Sequence, residues 1–352
     1  MENFADLYSD YLVCSSAATT ATGMASLLSV SHDKITRNLS KGEYDSKYLW
    51  SKVKPMVQEL TTSKEDIILC FDDSIEEKMY SDESELICWH YDHVFGRNVK
   101  GVNFLTAMVD VGGAKLPVAV EFVKKDELEM DLKKGKLRRV SSKTKNEIFR
   151  EMIERCDYNF RFDYVVADSW YSSTENMNFI KKDLNNNFVI ALKNNRLVAL
   201  SKEDKISEKY ININSLQLEQ QAVEVWLKEL DFPLLLTKQV FKNEDDTVGE
   251  LYLACSDLNL GYERITTIYK KRWGVEVYHK SVKSNASFAK SPTKTVKTQS
   301  NHFILSIMGY VKLELLCIRK NKNHFALKQK IYQAANVAAH QKLKELFTTK
   351  AA

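Results

Sequence analysis

Three acidic residues far apart in the chain, Asp73, Asp168 and Glu276, offer the clearest chemistry. The two aspartates close short apolar runs, DIILCFDD and FDYVVAD, and the glutamate lies in a polar stretch, RITTIYKKRWGVEVYHKSVKS, at 264–284. Carboxylates gathered at one end of a sheet repel one another and are tolerated when divalent cations neutralise them. Two hard cations about 4 Å apart activate an attacking oxygen and stabilise a leaving one in phosphodiester displacement. Mg²⁺ suits an all-oxygen donor set and keeps waters for the substrate. Asp72 and Asp73 are neighbours, and strand alternation aims them oppositely, so periodicity leaves either as the ligand.

The stretch around Glu276 carries a second set of polar groups. At about 100° per residue, a continuous helix puts Arg272, Glu276 and Lys283 near −60°, −20° and −40° from Tyr269, with Lys280 near +20°. A helix that buries an apolar stripe shows Leu and Val there instead. The plainer reading of such a stripe is an exposed helix face with i,i+3 and i,i+4 ion pairs. His279, near −80°, falls off the stripe and is left unassigned.

The elements that must position these groups follow from the pattern of apolar residues. Residues 1–60 read as helical, and Thr19–Lys41 has a helix-turn-helix pattern: Met24, Leu27 and Leu28 form one face, Ser31 is an N-cap, and Ile35 and Leu39 form the next face. His32, Lys34, Arg37 and Asn38 then point outward, a set suited to phosphate and base-edge contacts, although a purely structural helical domain has the same pattern. The run ending at Asp73 reads as a buried strand, followed by strands at 101–110 and 117–123 around a Gly112-Gly113 turn. Residues 124–145 hold nine Lys/Arg and four acids and are expected as a solvated basic loop or a nucleic-acid-facing surface. A helix at 143–156, a strand at 162–168, a helix at 175–184 and a strand at 188–192 complete a β-β-β-α-β-α-β order, a mixed sheet with helices on both faces. Residues 194–263 are β-rich, with a turn at 243–247, and read as an all-β insertion. Helices are expected at 300–318 and 325–347.

Composition narrows the class. The 51 Lys+Arg against 47 Asp+Glu give little net charge, but the basic residues are locally clustered. The acidic start MENFADLYSD lacks a signal-peptide layout, and the apolar stretch 303–318 is interrupted by Lys312 and Glu314 and is too short to span a bilayer. A cytoplasmic protein without a membrane partner is expected. The six cysteines are scattered and read as small buried hydrophobes rather than disulfides. Cys88, His90 and His93 lie close together in CWHYDH, but no second cluster shows zinc-ligand spacing.

The pattern Tyr269-x2-Arg272-x3-Glu276-x6-Lys283 resembles the Y-R-E-K signature of DDE transposases of bacterial insertion sequences, the IS-four-like group. Asp73 in FDDS and Asp168 in VVADSWY extend the resemblance, which runs from about Ile67 to Leu316 in the family's order. It implies a ribonuclease-H-like α/β core, as a mixed sheet flanked by helices, with an all-β insertion and a helical N-terminal region. The implied boundaries are a DNA-binding region at 1–60, core at 61–193, insertion at 194–263, core with the signature helix at 264–320, and a basic C-terminal helix at 321–352. It further implies two Mg²⁺ or Mn²⁺ ions on Asp73, Asp168 and Glu276; the family places its first aspartate before Ser or Thr, which favours Asp73 over Asp72. Tyr269, Arg272, Lys280 and Lys283 are implied phosphate contacts. Relatives also stack a flipped base on an aromatic of the insertion, for which Trp226 is the candidate against a role in the insertion's own core. The implied substrate is double-stranded DNA, terminal repeats and target, handled by a homodimer in the synaptic complex. Rival readings are another two-metal nuclease of the same fold and an element-derived protein that binds DNA without cutting.

Overall fold

The computed structural model describes residues 3–16, 18–62, 65–92, 95–132, 135–242, 246–291 and 293–348. In chain order the elements begin with α1 (Phe4–Cys14), α2 (Ala21–Leu28), α3 (His32–Lys41) and α4 (Ser46–Leu60). They continue with β1 (Ile68–Glu77), β2 (Cys88–Asp92), β3 (Arg97–Val111), β4 (Ala114–Phe122), β5 (Glu127–Asp131), β6 (Lys136–Val140), α5 (Lys145–Asn159) and β7 (Tyr164–Ala167). Then come α6 (Thr174–Asn178), β8 (Asn187–Leu192), β9 (Leu197–Val198), α7 (Lys202–Ile206), β10 (Ile211–Asn212), β11 (Ala222–Val225), β12 (Leu234–Lys242) and β13 (Val248–Cys255). The chain closes with α8 (Tyr262–Lys270), α9 (Trp273–Asn285), α10 (Val296–Lys320) and α11 (His324–Thr348). Two compact units result: residues 54–74 with 103–276, and residues 1–53 with 75–102 and 277–352.

The central sheet makes the fold mixed α/β and ribonuclease-H-like. Its order is β11-β12-β13-β8-β7-β1-β3-β2, with β4 paired to β3. β1, β7 and β8 are parallel neighbours, with Cys70 opposite Val166 and Val166 opposite Val189. Ile68 to Phe71 and Tyr164 to Ala167 are buried, as strands covered on both faces must be. Helix α5 starts on a capping box, the Thr144 hydroxyl taking the Glu147 N–H and the Glu147 carboxylate taking the Thr144 N–H. It buries Ile148, Phe149, Met152 and Ile153 as the sequence pattern predicts.

Three expectations need refinement here. The basic stretch 124–145 contains a β-hairpin, β5 paired to β6 from Glu127 opposite Val140 to Asp131 opposite Lys136, rather than a loop; Lys133 and Lys134 lie outside the described residues. Its acids face its basic residues across the hairpin, Arg138 pairing with Glu129 at 3.4 Å, which is the cross-strand pairing that lets so charged a segment form strands. Residues 194–263 are β-rich but include α7, and β13 pairs antiparallel with β8, so the β11-β12-β13 ribbon extends the central sheet. Residues Asn243 to Asp245 of the expected turn lie outside the described residues. The 264–284 stretch is two helices: the N–H groups of Gly274 and Val275 bond to the carbonyls of Lys271 and Arg272, a tight i to i+3 pattern that resets the helical phase between α8 and α9.

In the second unit, α1, α2 and α3 share a core with α10. Tyr8, Leu12, Met24, Ile35, Leu39 and Leu305 are buried together. Ser31 caps α3 by accepting the Asp33 N–H, and Ser29 takes the left-handed conformation that breaks α2 from α3, at the position read from the sequence. Asn301 of α10 donates to the carbonyls of Leu39 and Gly42, and Lys312 pairs with Asp6 and Asp10. The first helices therefore pack on a helix nearly 300 residues later, a contact that periodicity does not reveal. α10 is longer than the apolar stretch 303–318, and it meets the length and composition of a membrane span. Two-thirds of its apolar window is buried in the protein, the mark of a core helix.

Candidate active site

Asp72 and Asp73 sit in the middle of β1, which continues to Glu77, and Asp168 follows β7 directly. The parallel register that sets Cys70 opposite Val166 carries Asp72 to the level of Asp168 two residues on. Asp168 caps the short turn at 169–171, accepting the Trp170 N–H at 2.9 Å. Glu276 lies in the first turn of α9, where a carboxylate suits the helix dipole. The sheet and the helix thus bring Asp73, Asp168 and Glu276 into the electrostatic neighbourhood of Asp72.

Burial, then the charges of Asp168, Asp73 and Glu276 working against Arg272, pushes the Asp72 carboxyl up to about 7. Burial also raises Asp168, with the Trp170 N–H pulling back and Asp73 adding to the rise. Protein cations take up part of this charge. The Arg272 guanidinium donates to Asp72 Oδ2 at 3.3 Å and to Glu276 Oε1 at 2.6 Å. Burial opposes the Arg272 charge, but Tyr269, Asp72 and Glu276 outweigh it and raise its pKa. The Arg272 Nε is buried without a hydrogen-bond partner, a donor left over for an anionic ligand. Tyr269 lies under the guanidinium, whose centre is 5.8 Å from its ring. Burial, against the opposing Arg272 charge, lifts the Tyr269 phenol to about 12, so it stays a neutral donor.

Two residues that the sequence reading missed complete the site. Lys145 Nζ donates to Asp73 Oδ2 at 2.6 Å, and the Tyr171 hydroxyl donates to Asp73 Oδ1 at 2.9 Å. Phe149 positions the tyrosine: its ring stacks on Tyr171 at 4.7 Å and meets Phe71 edge-on at 4.7 Å. A signal for Lys145 was present in the sequence. It is the first residue after the Thr144 cap, where the helix dipole disfavours a cation, so an acidic partner outside the helix was to be expected. Lys271 pairs with the buried Asp110 at 2.7 Å and anchors the joint between α8 and α9 to β3.

The other predicted residues are placed as follows. Lys283 donates to the Ile75 carbonyl at 2.8 Å and lies 3.6 Å from Glu76. Lys280 sits over the Phe325 ring at 5.7 Å. Trp226 is only 9% exposed, its backbone bridges to Ala199, and Lys205 covers its ring at 5.4 Å, so it packs within the β-rich segment and presents no open stacking face. Exposed tryptophans instead flank the carboxylates in sequence, Trp170 at 41% and Trp273 at 63%. His279 is buried beside the Tyr278 ring. Cys88 Sγ is 3.2 Å from His90 Nε2, and His93 lies outside the described residues. Four cysteines are buried as expected, whereas Cys14 is exposed and Cys317 partly so.

The donor set fits hard divalent cations. It offers only carboxylate oxygens and is partly buried; burial first, with neighbouring carboxylate charge adding, raises the proton affinities of Asp72 and Asp168, and a divalent cation relieves that charge. The chain matches the family model of the DDE superfamily endonucleases over residues 2–210 and that of the transposase DDE domain over residues 137–312. The first range contains Asp73 and Asp168, the second Asp168 and Glu276. No curated protein matched the chain. With each model spanning half or more of its 352 residues, the chain belongs to the DDE transposase and endonuclease superfamily.

Proposed function

We propose that the protein is a DNA transposase that hydrolyses a phosphodiester at transposon ends and joins the released 3′-OH to target DNA. The observation that carries this reading is the convergence of Asp73, Asp168 and Glu276 around Arg272 and Lys145, an acidic set already interlaced with phosphate-seeking cations. Asp73, Asp168 and Glu276 would hold two Mg²⁺ or Mn²⁺ ions, which when bound neutralise charge on the attacking and leaving oxygens of an in-line displacement.

The chain's own groups do the rest. Arg272 grips phosphate through its planar fork and keeps its charge at every working pH. Tyr269, its phenol held neutral by burial, donates a hydrogen bond to phosphate, and with water as the attacking group the reaction needs no covalent enzyme intermediate. Lys145 releases Asp73 and turns to the substrate backbone as the acidic set fills. By the Y-R-E-K resemblance Lys283 contacts a phosphate near the cut, and Lys280, outside that pattern, joins it. The helices of 1–60 present His32, Lys34 and Arg37 outward on α3 for DNA, and the active assembly is a homodimer on paired ends in the bacterial cytoplasm. Trp170, 41% exposed against 9% for Trp226, is the more accessible aromatic for an unpaired base, although Lys145 lies over its ring as Lys205 does over that of Trp226.

Asp168→Ala tests the reading. Cleavage of DNA ends is expected to vanish while end binding, measured by mobility shift, stays within about twofold. Loss of both together assigns Asp168 to folding.

A further inference from the structure

Away from the acidic site, one corner of the helical unit gathers three ligand-type side chains. Glu314 and Cys317 are three residues apart on α10, which stacks them on one face. α10 ends at Lys320, Asn321 takes a left-handed conformation with φ 49°, and the reversed chain starts α11 at His324. The turn folds the imidazole back onto the face that holds the other two. A carboxylate oxygen of Glu314, Cys317 Sγ and a ring nitrogen of His324 lie within 4.8 Å of one another, the one such group of three among the described residues.

The surroundings are those of a ligand set. His324 Nε2 is 2.7 Å from Glu314 Oε2, while its Nδ1 is 2.9 Å from Ser281 Oγ, which in turn accepts from Asn285 Nδ2 at 3.0 Å. One ring nitrogen thus faces the cluster and the other is held by a hydroxyl, the arrangement that orients a metal-ligating histidine. The Tyr310 ring packs on the imidazole at 4.7 Å, and Tyr278 meets Tyr310 edge-on at 4.8 Å. Glu314 and His324 are buried, and Cys317 keeps partial access to solvent. A buried Glu–His pair alone accounts for two of the three groups; it gives no reason for a thiol beside it.

We propose that Glu314, Cys317 and His324 form a second cation site, separate in its donors from the acidic set, that takes Zn²⁺ with solvent as fourth ligand on the open side of Cys317. One imidazole nitrogen, one thiolate and one carboxylate oxygen select a borderline cation over Mg²⁺. Bond lengths of about 2.0 Å to nitrogen and oxygen and about 2.3 Å to sulfur require N···O near 3.2 Å and N···S near 3.6 Å in a tetrahedron. Loading breaks the Cys317 S–H bond and replaces the proton between His324 and Glu314, and both protons pass to solvent. The cation pins the end of α10 to the start of α11.

The test is Co²⁺ titration of the full chain in excess Mg²⁺, which saturates the all-oxygen set and leaves thiolate sites open. One equivalent is expected to give a thiolate charge-transfer band in the near ultraviolet and visible d–d bands, both erased by Zn²⁺. Cys317→Ser should abolish the charge-transfer band, and Ser281→Ala should keep it with about tenfold weaker binding. The wild type decides even where a variant does not fold: Zn²⁺ should protect Cys317 from alkylation, read by peptide mass. Absence of the band, a band that persists in Cys317→Ser, or Cys317 alkylation unchanged by Zn²⁺ overturns the proposal.

Discussion

Arg272→Ala removes the guanidinium that bridges Asp72 and Glu276, and its cost depends on pH in a way the site defines. Removing one partner of a buried pair costs about 3–5 kcal/mol when the remaining charge has no escape. Asp72 has one, because its carboxyl titrates near 7 even with Arg272 present. At pH 6 Asp72 is already mostly protonated in the native protein, and the variant loses chiefly the Glu276 contact. Without the cation the Asp72 pKa rises further. Between pH 7 and pH 8 the wild type has released this proton and the variant has not. An acid whose native pKa lies above its unfolded value loses stability as pH rises through that interval, by about 1.4 kcal/mol per pH unit per proton retained. The destabilisation by Arg272→Ala is therefore expected to be about 1 kcal/mol larger at pH 8 than at pH 6. Urea denaturation in EDTA at the two pH values measures it. Equal destabilisation at both, or a larger one at pH 6, refutes the placement of Arg272 against an ionising Asp72.

Further outcomes are expected elsewhere. Lys145→Met removes a cation from Asp73 and should raise Mn²⁺ affinity by on the order of tenfold, followed by the loss of the free-ion EPR signal, since opposed charges at about 4 Å near a surface are worth up to about 4 kcal/mol; lower affinity would mean that Lys145 orients the carboxylate instead. His302 donates from Nε2 to the Ser287 carbonyl and accepts the Tyr8 hydroxyl at Nδ1, and burial holds its pKa down to about 4. Its contribution is fully present above the unfolded value of about 6.5 and is lost as pH falls toward 4, by about 3 kcal/mol, and His302→Gln should flatten that limb of the stability profile. Gly101→Ala puts a Cβ 2.3 Å from the Glu76 carbonyl oxygen, a backbone atom that cannot yield, and should cost about 1–3 kcal/mol in urea denaturation. Gly274→Ala meets only the flexible ends of Lys115 and Met108 and should cost distinctly less in the same assay.

What the sequence made legible was local. Apolar runs ending on Asp73 and Asp168 marked buried strands, and the Ser31 cap marked a helix start, because both signals lie within a few residues. The candidate carboxylates stood out because Asp73 and Asp168 close apolar runs and Glu276 lies in a polar helical stripe, although Asp73 sits mid-strand in β1. The break between α8 and α9 was not, since it resides in two hydrogen bonds of a tight turn that no Gly or Pro at 271–272 announces. Lys145 and Tyr171 were hidden because their partner Asp73 is about 70 and 100 residues away. Trp226, between Val225 and Leu227, could be read either as a stacking platform or as part of the insertion's own core, and Lys205 and the bridge to Ala199 favour the second. The Glu314, Cys317 and His324 corner depends on the turn at left-handed Asn321, which brings His324 back to Glu314, ten residues earlier.

The most direct measurement is cleavage of labelled DNA carrying the terminal repeats that flank this gene, in Mg²⁺, Mn²⁺ or EDTA, by the wild type and Glu276→Gln. Nicking at the repeat boundary is expected with either metal, absent in EDTA and lost in the variant. Binding of those ends without cutting under any metal would contradict a transposase and leave an element-derived DNA-binding protein.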